Sequence, residues 1–141
     1  WATENVTTEG ISIDLACGDG IKLDDFRDSQ FDFIFDGHFL HCIIGEDRRV
    51  LLKNVHRVLR PEGFFLVRSI VWPVETGGGL VIDPDTKLGY LDGVPYRYYP
   101  TAEELVNEIK CANFSILDWH YTVTSKDGYG FQHAVLQCAR I

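Results

Sequence analysis

Apolar residues fall at two different periods along this chain. In FDFIFD, Phe31, Phe33 and Phe35 recur at every second position with Ile34 directed to the other side, which predicts a β-strand. From Glu46 to Leu59 the period changes. Leu51, Val55, Val58 and Leu59 recur at helical spacing, Val50 and Leu52 broaden the stripe, and Arg48, Lys53 and Arg57 fall largely off it. Arg57 and Arg60 suit the negative end of that helix's dipole, and Pro61 within RPEG, Arg60 to Gly63, stops it. FFLVRSI, Phe64 to Ile70, then reads as a second buried strand. The unit is strand, loop, helix, strand, and in open α/β sheets ligands bind beyond the carboxyl ends of the strands. Asp36, His38 and His41 stand there, within six positions of one another.

The flanking segments extend the pattern. Trp1 to Gly10 looks like the end of a helix, with Gly10 suited to the left-handed position after its last turn. Ile11 to Cys17 alternates as a strand does, and Gly18, Asp19 and Gly20 end it in a tight turn. Ile21 to Gln30 is too short and polar for more than a turn of helix. Trp72 to Pro100 is rich in Gly and Pro without a lasting period and reads as a long loop or lid. Thr101 caps the next helix, Glu104 completes a capping box, Leu105, Val106 and Ile109 form the buried side, and Asn113 is the C-cap candidate. Ser115 to Thr124 and Phe131 to Ala139 read as strands joined by a hairpin turn at Asp127 and Gly128, hence antiparallel. The expected fold is α/β: a mostly parallel sheet with one antiparallel strand near its edge.

Composition narrows the function. The chain has 141 residues, enough for one domain, and its 45% apolar and 13% aromatic content excludes disorder. A net charge of −8 argues against a nucleic-acid or anionic-membrane surface and makes a small molecule the default partner. No apolar run approaches the roughly 20 residues that cross a bilayer, so the expectation is a soluble, cytoplasmic protein. Cys17, Cys42, Cys111 and Cys138 lie far apart and read as reduced, buried thiols. The chain opens at Trp1 and contains no methionine, as expected if processing removed its start or if it is a piece of something longer.

The order of elements and two phrases, FDFIFDGHFLHCI (Phe31 to Ile43) and VLRPEGFFLV (Val58 to Val67), resemble the class I S-adenosylmethionine-dependent methyltransferases over nearly the whole chain. The resemblance implies a Rossmann-like, mostly parallel sheet with helices on both faces and a C-terminal antiparallel β-hairpin. It also implies S-adenosylmethionine as cofactor. IDLACGDG, Ile13 to Gly20, imitates the family's glycine-rich first motif, but the next strand starts only about ten residues later, too few for a helical crossover. By resemblance, Ile11 to Gly20 is instead the third strand and its turn, with Asp19 accepting a hydrogen bond from the adenine amino group and Gly20 beside it. The glycine loop and the ribose-binding acid would then lie upstream of Trp1. Residues 1–141 would form a single, N-terminally truncated domain with half of a cofactor site. Two central strands would also be missing, so either the first strand pairs beside Phe31 to Asp36 or a partner chain holds that segment, with a homodimer as one arrangement.

At the site, the resemblance places Asp36 and Gly37 beside the methionine part of the cofactor and its transferring methyl; an ordinary strand-to-helix turn is the competing reading. His38 and His41 are the catalytic candidates, lining the substrate pocket with one as general base, against a packing or helix-start role. A zinc site from His38, His41, Cys42 and Cys17 lacks a known ligand spacing, so no metal is expected. TGGGL, Thr76 to Leu80, lacks the ending of a phosphate loop and reads as a hinge. Tyr90, Tyr96, Tyr98 and Tyr99 suit either an apolar or cationic substrate or the packing of a long loop. The leading expectation is methyl transfer to a small-molecule acceptor, the acceptor atom being open. A non-catalytic truncated module used for binding or oligomerisation is the alternative, and a nicotinamide-dependent oxidoreductase is disfavoured by the short Ile21 to Gln30 connection.

Overall fold

The computed structural model describes residues 8, 10, 12–74, 79–124 and 131–141. The alternating phenylalanines form β1, Phe31–Gly37, which a short 3-10 turn, Leu40–Cys42, links to helix α1, Glu46–Val58. Strand β2, Leu59–Val74, follows α1 directly and pairs with β1 in parallel, Phe33 opposite Phe64 and Gly37 opposite Arg68. Arg60 to Gly63, the expected stop, lies inside β2 as an irregularity: the register jumps from Phe31 opposite Leu59 to Phe33 opposite Phe64, and Glu62 takes a positive φ of 60°. Helix breaking and strand bulging use the same residues, so RPEG ends α1 without delaying β2.

The expected loop over Trp72 to Pro100 is instead largely a small antiparallel sheet. Its strands β3, Leu80–Ile82, β4, Leu88–Leu91, and β5, Val94–Tyr98, lie in that order. Short strands joined at positive-φ Asp92 and Gly93 carry no sustained period, which hid them. Tyr99, 1% exposed, packs with Ile70 and Val74 of β2 and fixes this sheet to the main one. Helix α2, Ala102–Cys111, has the expected capping box: Thr101 accepts from the Glu104 backbone N–H and Glu104 accepts from the Thr101 N–H. Its C-cap is Ala112, and Asn113 follows with a φ of 63°. Strands β6, Phe114–Thr124, and β7, Phe131–Arg140, are antiparallel as expected, while the Asp127–Gly128 turn and Thr76 to Gly78 lie outside the described residues.

The main sheet has the order β1-β2-β7-β6, with one parallel pairing and two antiparallel ones among the described residues. Both helices pack on one side of it. Leu51, Leu52 and Val55 of α1 and Leu105 and Ile109 of α2 share a core with Phe65, Val67 and Val71 of β2 and with Ala134, Leu136 and Cys138 of β7. On the opposite side no described helix covers Phe33, 54% exposed, or Phe64, 45% exposed. A sheet that is mostly parallel with helices on both faces is therefore not what the described residues form by themselves.

Two further expectations change, and one is met. Residues 12–17 form no strand, and Ile13 and Leu15 are exposed, so this segment does not pair beside β1. Gly10 does take a positive φ of 63°, while most of the segment before it lies outside the described residues. The cysteines are free, but only Cys138 is buried; Cys17, Cys42 and Cys111 are exposed.

Candidate functional site

The site is built at the carboxyl end of β1, where the chain must leave a parallel strand and turn into α1. Asp36 makes that turn. Buried at 8% exposure, it accepts from the backbone N–H of Phe39 at 2.7 Å and of Leu40 at 2.9 Å, which fixes the 3-10 turn. Burial pushes its carboxyl pKa up, and the two backbone hydrogen bonds oppose that rise. His38 extends the ladder by donating its N–H to the Arg68 carbonyl, but does so at a φ of 75°. A left-handed histidine is a costly conformation that the surrounding structure enforces.

The turn is secured from below by Arg48, an α1 residue outside the apolar stripe that nonetheless has only 4% exposure. Its guanidinium donates to the Leu40 and Ile43 carbonyls and, in a bidentate pair, to Glu108 of α2 at 2.7 and 2.6 Å. It also lies 4.8 Å from the centre of the Tyr98 ring. Arg97 similarly covers Tyr96 at 4.4 Å. The cations on these tyrosines are thus the protein's own arginines, and Tyr99 is core; that part of the aromatic cluster is structural.

Of the residues assigned to the cofactor by resemblance, Gly20, Asp36 and Gly37 line one apolar pocket of about 310 Å³, walled by Leu23, Ile34, Phe35 and Phe39. A Cβ on Gly20 would stand 3.0 Å from the Phe39 ring, and one on Gly37 would stand 3.0 Å from the Phe35 ring. Asp19 is not part of that wall. It is exposed and accepts from the backbone N–H groups of Ile21 and Lys22, which hold its carboxyl below the usual range.

The two catalytic candidates come together with a residue that the sequence reading missed. The His38 ring lies 5.6 Å from that of His41 and 4.8 Å from that of His133 on β7. All three imidazoles have lowered pKa values. For His38 the causes are burial and then the charges of Arg68 and Arg97; for His133 they are burial, His38 and Arg68. His41, 1% exposed, is pushed down to about 3 by burial and then by Arg97. All three are neutral near pH 7. His133, Arg68 and Arg97 lie on other elements, distant in sequence. The one local signal was Arg68, a lone charge inside the buried run FFLVRSI. Among the described residues no group of three or more His, Cys, Asp or Glu side chains could hold a metal ion, and no helix is long and apolar enough to cross a membrane.

The methyltransferase-domain family matches residues 1–67. Solved structures match the whole length. The 1,6-didemethyltoxoflavin-N1-methyltransferase of Burkholderia thailandensis, solved with its substrate and S-adenosylhomocysteine, superposes with a TM-score of 0.71 at 20% identity, over 99% of this chain and 56% of that one. The cyclase SpnF gives 0.72 at 21% identity, over 99% and 60%. An S-adenosylmethionine-dependent methyltransferase of Clostridium acetobutylicum gives 0.70 at 16%, over 99% and 69%. No curated protein sequence matches the chain. The fold is that of the class I S-adenosylmethionine-dependent methyltransferases. The chain spans 56% and 60% of the length of the first two structures, and one of them is a cyclase, so the fold alone does not fix the chemistry.

Proposed function

We propose that this chain contributes the carboxyl-terminal half of an active site that transfers a methyl group from S-adenosylmethionine to a small-molecule acceptor. The observation that carries this reading is the convergence of Gly20, Asp36 and Gly37 on one apolar pocket at the end of β1. The pocket fits part of such a cofactor. Its wall of Leu23, Ile34, Phe35 and Phe39 suits a purine or thioether surface, and the two glycines let backbone approach where a Cβ would meet an aromatic ring. When bound, the cofactor supplies an electrophilic methyl carbon on a positively charged sulfur.

The residues of this chain then have separable roles. Gly20 and Gly37 admit the cofactor, and Asp19 offers its exposed carboxylate to an amino group. Asp36 holds the turn that presents His38. Of the two imidazoles, His38 is the better proton acceptor, being half-buried, while the burial and pKa of about 3 of His41 place it far from the working pH of a general base. The mostly parallel sheet with helices on both faces belongs, in this reading, to a longer domain or an assembly that covers the Phe33 and Phe64 side. A paired dimer across the free edge of β1 is one such assembly, and sedimentation velocity measures it directly.

Calorimetric titration of the 141-residue chain with S-adenosylmethionine and with S-adenosylhomocysteine tests the reading. Micromolar binding that is lost in Gly37→Val is the expected outcome. A folded chain that binds neither compound overturns the assignment of a cofactor pocket to these residues.

A further inference from the structure

We propose that Arg68 and Arg97, together with His38, His41 and His133, form a recognition site for an oxyanion, a carboxylate or phosphate group carried by the small molecule that this protein handles. Identifying that molecule as the methyl acceptor rests on the function proposed above; the anion site itself does not.

The first support is an imbalance of partners. Among the described residues, the buried side-chain polar atoms without a hydrogen-bond partner are His41 Nδ1, Arg68 Nε, Arg97 Nε and Thr122 Oγ1. They converge on one place. Arg68 and Arg97 both act on His38, Arg97 acts on His41, Arg68 acts on His133, and Thr122 stands opposite His133 in the β6–β7 register. Buried polar groups are normally satisfied, so orphaned atoms concentrated in one cluster point to a group that completes them.

The second support is charge. Arg48, Arg49, Arg57 and Arg60 each pair with a carboxylate, whereas Arg27, Arg68, Arg97 and Arg140 pair with none among the described residues. Of these four, Arg27 is exposed and Arg140 donates to the Ser29 hydroxyl and the Leu59 carbonyl, which leaves Arg68 and Arg97 as the two half-buried arginines whose buried Nε lacks a partner among the described residues. Nor is Arg97 loose: it lies over the Tyr96 ring. Both guanidinium groups act on one neutral imidazole, His38, and an oxyanion beside it offsets their positive charge. Arginine's fork of N–H donors matches a planar carboxylate or a phosphate. The neutral imidazoles add donors or acceptors without adding charge.

The third support is access. His38, Arg68, Arg97 and Thr122 are half-buried while His41 and His133 are buried, which places the cluster at the boundary between core and surface. Together with the left-handed His38, this is the arrangement of a binding site rather than of a core.

The test is nuclear magnetic resonance of the histidine side chains, titrated with inorganic phosphate and with benzoate at an ionic strength held constant with chloride. The expected result is saturable movement of the His38, His41 and His133 signals with at least one probe, the tighter one identifying the class of headgroup. Affinity should fall roughly tenfold or more in Arg68→Gln and in Arg97→Gln and stay unchanged in Arg49→Gln, whose arginine is exposed and paired with Glu46. Where either glutamine variant fails to fold, as judged by circular dichroism, the lysine replacement at the same position serves, since it keeps the charge and loses the fork. No saturable shift with either probe, or variants that bind as the parent does, overturns the proposal. The cofactor titration on the same sample separates the two readings: anion binding without cofactor binding leaves this site standing and removes the methyl-transfer role, and the reverse removes only the anion site.

Discussion

Two arginine environments, one on each side of the turn after β1, differ in a way that separates structure from function. Below the turn, Arg48 is buried, and its partners are the Leu40 and Ile43 carbonyls and both carboxylate oxygens of Glu108. On the other side, Arg68 and Arg97 keep buried Nε atoms without partners among the described residues, beside three neutral histidines. A satisfied buried network rigidifies the fold; an incomplete one is costly unless a ligand completes it. The contrast teaches that the first arginine exists for the protein and the second pair for something outside it.

The largest expected effect breaks the satisfied side. Arg48→Ala leaves Glu108 as a half-buried charge, takes the arginine donor from the Ile43 carbonyl and leaves the Leu40 carbonyl with the Ile43 N–H alone, and should cost about 3–5 kcal/mol in urea unfolding. A loss below about 1 kcal/mol would remove Arg48 as the structural pole of the comparison. Asp36→Ala comes next: the Phe39 and Leu40 N–H groups lose their acceptor, at a cost of about 1–3 kcal/mol. Asp36→Asn, which keeps one acceptor oxygen, should recover part of it.

The strand-helix-strand unit, the capped second helix and the terminal hairpin were legible because each repeats a period or carries a cap that acts within a few residues. Asp36, His38 and His41 were legible as a cluster for the same reason. Arg48 was not, since a helical residue off the apolar stripe reads as solvated unless another element, here Glu108, closes over it. Arg97 and His133 were illegible too: one lies in a sheet with strands of three to five residues, the other on a hairpin whose register decides what it faces. Residues 12–17 show the opposite error, a strand pattern with no described neighbour to pair with.

The incomplete side should reveal itself with pH. His41 titrates near 6.5 when unfolded and about 3 when folded, so the unfolded chain binds the extra proton between those values. Stability therefore falls as pH drops from about 6.5 toward 3, with a slope from this group of at most about 1.4 kcal/mol per unit. His41→Phe should flatten that part of the profile. An unchanged slope would mean that His41 is not held neutral by the cluster. Saturating phosphate or benzoate should lessen the slope by favouring protonated imidazoles. The Thr101 cap supplies a smaller reference: Thr101→Ala should cost about 1 kcal/mol, independent of any anion.

The smallest expected effect is the most discriminating. Arg68→Gln and Arg97→Gln should change stability in the absence of ligand by less than about 1 kcal/mol, or raise it, because each removes a half-buried charge and an Nε donor that has no partner among the described residues. Arg97 sharpens the point, since losing its contact with the Tyr96 ring should offset part of the gain, leaving Arg68→Gln the more favourable of the two. Urea unfolding with and without phosphate measures both. An arginine retained for the fold would make its glutamine variant as unstable as Arg48→Ala under both conditions. An arginine retained for a ligand would leave the free protein intact and abolish only the stabilisation that the anion provides.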